Sequence, residues 1–264
     1  MPTHIGDNLF SLDFLKKLCR ANEEIECEYS SDFSYVGDSI AALNDFIKLE
    51  KKIKISNYEH PEANGLWMHG ILPHLMRIKP LNELHGGIHG FPNKQNIFEM
   101  MFESGNYVAE TLNLQLPYKT LEDVVFDGDV FENNFLGYDV LLVNSYARSS
   151  QTHWSEQEQD NYFLNLANLL RLHGIKFITT YKINGFPCTT DKKMNIVDIG
   201  RLATKCKVVV GIPTSPFLVS VNELALKKCN VFINIRHQDL NFNFDKFYNL
   251  SPYELRLEHI KDFI

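Results

Sequence analysis

The chain is predicted to fold as α/β, in two domains with mostly parallel sheets, and three observations carry that prediction. Residues 205–235 read strand, turn, helix, strand. Short strand-like and helix-like runs alternate along the rest of the chain, the rhythm of an α/β protein. A connector with acidic residues and little periodicity, over residues 117–136, interrupts that rhythm. It separates a first domain, residues 1–120, from a second, residues 135–264.

The unit at 205–235 is the most legible. Val208, Val209 and Val210 are β-branched and end at Gly211, the composition of a strand buried on both faces. Gly211, Pro213, Thr214, Ser215 and Pro216 are expected to make the turn beyond it, with hydroxyls and N–H groups facing whatever lies past the strand's carboxyl end. From 217 to 228, Leu218, Val221, Leu224 and Ala225 recur at three- and four-residue spacing and give one helix a buried face. Val231, Phe232, Ile233 and Ile235 supply the next strand. Such a unit is common to all α/β domains. It also presents a helix start at the edge of an open sheet, where phosphate groups bind in doubly wound folds.

From the amino end, Gly6-Asp7-Asn8 is expected as a turn and N-cap ahead of a helix striped by Leu9, Leu12, Phe14, Leu15 and Leu18. Asp7 is then either a cap residue or, beside His4 and the flexible Gly6, a base facing a cleft. No strand-like run precedes residue 4. Residues 25–29 and 52–55 alternate as short strands around a turn and helix at 36–46.

Residues 58–92 hold His60, His69, His74, His85 and His89 among glycines and Trp67. Gly86 and Gly87 break any helix that would aim His85 and His89 at one metal, so this stretch is read as the lining of a cleft or a cover over a core. Residues 96–114 make a helix despite Gly105, and Asp127-Gly128-Asp129 reads as a solvated turn. In the second domain, Asp139 to Asn144 is a buried strand followed by a polar turn at 145–150, where Arg148 is placed to meet phosphate charge. Ser155 and Glu158 have capping-box spacing for a helix ending at Gly174. Residues 176–180 are a strand, 196–203 a short helix, and the aromatic tail after His237 is expected to wrap back over the surface.

Composition narrows the function. The chain has 264 residues, a net charge of −7 and a pI near 5.8, with Lys and Arg scattered apart from a short run at Lys48, Lys51, Lys52 and Lys54, which disfavours nucleic acid as a partner. The five cysteines show no CxxC pair and read as reduced, mostly core thiols of a cytoplasmic protein. No apolar run has the length of a membrane span, and a signal-peptide core is not seen at the start. Peripheral contact with a membrane, through a lipid-linked substrate, is compatible with this.

Three stretches in order resemble a glycosyltransferase of the GT-B architecture, with two Rossmann-like domains, nearest to the heptosyltransferase-like family (glycosyltransferase family 9-like). They are Gly6-Asp7 ahead of NLFSLDFLKKL, then YDVLLVNSYARSS with the helix ending RLHGIKF, then IVDIGRLATKCKVVVGIPTSPFLVSVNELAL. In the donor loop the family shows an acidic or Asn residue, Ser/Thr-Gly and a His; this chain has Pro213-Thr214-Ser215-Pro216.

The resemblance implies transfer of a sugar from a nucleotide-sugar, the co-substrate, to a hydroxyl of a glycan or lipid-linked acceptor. Asp7 is the expected base, with His4 the alternative. Arg148, Gly211, Thr214 and Ser215 are expected to hold the donor diphosphate, and Glu223 to meet a ribose or sugar hydroxyl. With Arg148 and a helix start stabilising the leaving group, neither metal nor further cofactor is called for. The competing reading is a non-catalytic nucleotide-binding α/β protein.

Overall fold

A computed structural model of the chain describes residues 5–31, 39–47, 50–57, 97–146, 154–235 and 244–264. His4, Arg148 and the His- and Gly-rich stretch at 58–92 lie outside these residues. The chain divides into two compact units, Met1–Phe126 and Asp127–Ile264.

In the first unit, α1 (Ile5–Ala21), β1 (Cys27–Ser31), α2 (Ser39–Ile47), β2 (Ile53–Asn57) and α3 (Ile97–Thr111) follow in order. β1 and β2 pair in parallel, with Cys27 opposite Ile53. The helix begins earlier than its stripe predicts, so Asp7 lies in the first turn of α1 and is not its N-cap. A glycine costs less there than in a helix interior, because first-turn N–H groups lack intrahelical partners, and the dipole favours an acidic residue.

Leu9, Leu12, Phe14 and Leu18 are buried as their spacing predicts, but so are Asn8, Ser11, Asp13 and Lys16. The polar side of α1 is therefore covered as well. Lys17 donates to Asp13 Oδ2 at 2.5 Å and to the Val125 carbonyl at 2.7 Å, while the Lys16 ammonium lies 4.9 Å from the Phe46 ring centroid. Phe10 stacks on Phe126 at 4.6 Å and Phe46 meets the same ring edge-on. Gly105 looks like a weak point of α3 in sequence. In the structure a Cβ there would lie 2.4 Å from the Tyr118 ring, and the neighbouring Asn106 carboxamide pairs with the Tyr118 backbone.

The second unit is built on one sheet. Its elements are β3 (Tyr138–Val143), α4 (Glu156–Leu172), β4 (Phe177–Thr179), α5 (Ile196–Ala203), β5 (Cys206–Gly211), α6 (Ser215–Ser220), α7 (Glu223–Lys228), β6 (Val231–Ile235), β7 (Phe247–Leu250) and α8 (Glu258–Lys261). The strand order is β4-β3-β5-β6-β7, and every pair is parallel. Val140, Leu142, Val208, Val210, Val231 and Ile233 pack with Phe163, Leu166 and Leu170 of α4 and with Ile260 of α8 in one core. Gly200 lets α5 close on its neighbours: a Cβ there would sit 2.4 Å from Phe131 and 2.9 Å from the Val219 carbonyl.

Three expectations need correction. The single helix at 217–228 is two short ones, α6 and α7, because the buried Asn222 stops the first and caps the second. Its Oδ1 accepts from Ala225 N at 2.9 Å while its Nδ2 donates to the Gly200 and Val219 carbonyls. The tail does not only wrap the surface: 247–250 joins the sheet as β7, with Phe247 stacked on Phe232 at 4.9 Å and Asn249 accepting from Asn234. Asp127-Gly128-Asp129 is open to solvent at Asp129 as expected, but Gly128 and Asp129 belong to a 3-10 helix, Gly128–Phe131.

Candidate functional site

The strand order reverses between β3 and β5. The chain leaves β3 to form β4 on one side, then crosses to form β5 on the other. In open α/β sheets the crevice beyond the carboxyl ends at such a switch point is where ligands bind, since the two connections diverge to opposite faces. Val143 ends β3 directly opposite Gly211, which ends β5. A Cβ on Gly211 would lie 2.3 Å from the Val143 carbonyl oxygen and 2.4 Å from its Cβ, so only glycine lets the strands meet here. Ile212 N donates to that carbonyl at 3.3 Å.

Beyond Gly211 the chain turns tightly. Thr214 N donates to the Ile212 carbonyl at 2.7 Å, and Thr214 then occupies the N-cap position of α6 with extended backbone. Its hydroxyl does not cap the helix; it reaches the Ile212 carbonyl at a long 3.4 Å. Ser215 opens α6, half-buried, and Pro216 sits in the first turn, where its missing N–H breaks no helical bond. Gly211, Thr214 and Ser215 are thus brought together, as their sequence proximity requires.

Glu223 is placed differently. It opens α7, where Oε2 accepts from Gly128 N at 3.2 Å and Oε1 from Lys227 Nζ at 2.5 Å. Its carboxylate thereby anchors the start of the 3-10 helix.

The polar end of β3 is more elaborate than the sequence shows. Buried Asn144 donates its N–H to Thr180 Oγ1 at 3.0 Å, and its carboxamide exchanges bonds with the Tyr181 backbone, at 2.8 Å to the N–H and 3.1 Å to the carbonyl. Gln159 of α4 donates to the Asn144 carbonyl at 2.9 Å, and the Ser145 and Thr180 hydroxyls lie 2.8 Å apart. These bonds fix the path of the chain as it leaves β3. Tyr146 donates to Asp160 at 2.6 Å and packs edge-on against Tyr181 at 4.7 Å. Burial first, then the Asp160 carboxylate, push its pKa up from 10.0, so the phenol remains a proton donor.

None of Asn144, Thr180 or Tyr181 stood out as a functional candidate. The only signals were an amide ending an apolar run and a threonine pair ending the next strand. Asp7 lies on α1 of the first unit. Among the described residues no three His, Cys, Asp or Glu side chains cluster as a metal site, and no helix is long and apolar enough to cross a membrane.

The switch point, the parallel sheet and the helices flanking it define a doubly wound α/β fold. Comparison with solved structures agrees. E. coli heptosyltransferase WaaC bound to ADP-2-deoxy-2-fluoro heptose matches over 98% of this chain and 95% of its own, with a TM-score of 0.54 at 14% identity. The same enzyme with ADP matches over 99% and 94%, with a TM-score of 0.54 at 15% identity. A glycosyl transferase family 9 structure from Veillonella parvula gives a TM-score of 0.46 at 10% identity, over 89% and 79%. No family model and no curated protein matches the chain. At such identities the two heptosyltransferase WaaC matches show the fold alone, an α/β fold with a parallel sheet.

Proposed function

We propose that the chain is a glycosyltransferase that moves a sugar, of hexosyl or heptosyl type, from a nucleotide-sugar to a hydroxyl of a glycan or lipid-linked acceptor, with inversion and without a metal ion. The observation that carries the reading is the switch point at Val143 and Gly211, with the Thr214 and Ser215 turn beyond it, in a fold shared with structures crystallised with ADP and an ADP-heptose analogue. In this reading the donor diphosphate sits at the carboxyl ends of β3 and β5. The Thr214 and Ser215 hydroxyls hold it, where Gly211 lets the two strands end close together, with Arg148 beside them and Glu223 toward the ribose or sugar.

The acceptor oxygen attacks the anomeric carbon, the bond to the diphosphate breaks, and the nucleoside diphosphate leaves with the electron pair. Asp7 takes the acceptor proton, with His4 as the alternative base. Hydrogen-bond donors aimed at the departing phosphate lower the barrier because its charge grows in the transition state. The enzyme works in the cytoplasm, reaching a lipid-linked acceptor at the membrane surface.

A melting screen of the full chain against ADP, UDP, GDP and their sugar conjugates tests this. One nucleotide should raise Tm, since a ligand at a hundred times its Kd adds about 2.7 kcal/mol of stability. Adding an acceptor should then release the nucleoside diphosphate. No shift with any nucleotide overturns the reading. A shift without turnover against a broad acceptor panel favours the non-catalytic nucleotide-binding protein.

A further inference from the structure

Cys19 and Cys27, both in the first unit, are the two thiols in contact whose partner is another thiol. Cys19 lies in the last turns of α1, and Cys27 is the first residue of β1. Their sulfur atoms are 3.4 Å apart, with the Cys19 thiol donating to Cys27. The short connection between them is held at both ends: Asn22 N donates to the Leu18 carbonyl at 3.0 Å, and Cys27 N to the Lys52 carbonyl at 2.8 Å. A disulfide needs sulfurs about 2 Å apart, so closing the pair requires a shift of little more than an ångström. Cys19 is 1% exposed whereas Cys27 is partly open to solvent.

The other thiols are spent on other groups. Cys188 contacts the Thr190 hydroxyl at 3.0 Å, Cys206 donates to the Leu202 carbonyl, and Cys229 lies within 3.1 Å of the Ala203 and Cys206 carbonyls. All three are buried.

We propose that Cys19 and Cys27 are a redox modification site, converted reversibly to an intramolecular disulfide by a small-molecule disulfide. The partly open Cys27, as thiolate, attacks one sulfur of the reagent RSSR, forming Cys27–S–S–R and releasing RS⁻, which takes up a proton. Cys19 then gives up its proton and its sulfur attacks the Cys27 sulfur, forming the Cys19–Cys27 bond and releasing the second RS⁻. The protein loses two electrons and two protons, and RSSR becomes two RSH. Burial, and then the neighbouring Cys27, push the Cys19 thiol up to about 12, so the partly open Cys27 and not Cys19 makes the first attack. The product ties the end of α1 to the start of β1 and restricts the unfolded chain.

The test is native full-length protein equilibrated with glutathione buffers of increasing oxidised fraction, then alkylated and analysed by intact mass and peptide mapping. The expected product is two hydrogens lighter, carries a Cys19–Cys27 linked peptide, melts at higher temperature and reverts with dithiothreitol. Cys19→Ser should instead accumulate one glutathione on Cys27. If a variant fails to fold, the wild-type peptide map decides alone. A stable glutathione adduct on Cys27 with Cys19 free, a link to another cysteine, or no modification overturns the proposal.

Discussion

Gly211 and Val143 end adjacent parallel strands so close together that a side chain on Gly211 would begin 2.3 Å from the Val143 carbonyl oxygen. Both atoms on the far side of that contact belong to backbone or Cβ and have no rotamer in which to escape. Gly211→Ala should therefore push β3 and β5 apart at their carboxyl ends. Overpacking of this kind costs roughly 1–3 kcal/mol, to be read from the shift in urea midpoint, and the nucleotide-dependent rise in Tm should disappear with it.

The turn beyond Gly211 separates binding from stability. Ser215 is half-buried at the start of α6, and the Thr214 hydroxyl makes only a long contact to the Ile212 carbonyl. Thr214→Val keeps the shape, and Ser215→Leu adds bulk at a partly open position. Each should change the melting temperature of the free protein by little. The double variant should show at least a tenfold weaker nucleotide affinity by calorimetry, about 1.4 kcal/mol. Unchanged affinity would place the ligand elsewhere.

At the opposite edge of the sheet, Asp139 supplies a pH-dependent tie. Burial opposes its ionisation, but the Lys207 ammonium at 3.0 Å and the Lys176 N–H at 3.1 Å outweigh that and hold the carboxyl below its ordinary 3.8. A carboxyl depressed in the folded state contributes stability that is fully present above the unfolded value and is lost as pH falls through the folded one. The stability gap between wild type and Asp139→Asn should thus be constant at neutral pH and close as pH drops below 3.8. Because the pair is partly solvated, added salt should narrow the gap at neutral pH.

Asp7→Asn tests the proposed base. In the first turn of a helix an Asp to Asn change costs at most about 0.3–1 kcal/mol, the worth of a charge near a helix dipole, so the free protein should melt at nearly the same temperature. Turnover should fall by roughly 10²- to 10⁴-fold while donor affinity is retained. Full activity in this variant would return the role of base to His4 or another group.

Local chemistry was enough to read much of the chain. Val208 to Val210 ending at Gly211 make a buried strand wherever they sit, because β-branched residues fit a pleated interior. The Ser155 and Glu158 capping box forms as read, with Glu158 N donating to Ser155 Oγ and Ser155 N to Glu158 Oε2, since both partners lie within one turn. The Thr214 and Ser215 turn was legible for the same reason.

Other features belong to the tertiary structure alone. The break at Asn222 depends on carbonyls of Gly200 and Val219, and α7 is therefore separate from α6. Phe247 to Leu250 become a strand because Phe232 and Asn234 of β6 offer a stacking ring and a carboxamide alongside. The burial of Lys16 beside Phe46 reflects how much surrounds α1, which no helical stripe encodes. The site itself depends on strand order. Nothing in Asn144 or Gly211 taken singly says that their strands are neighbours; the crossover that places β5 beside β3 does so, by putting distant turns at the same edge of one parallel sheet.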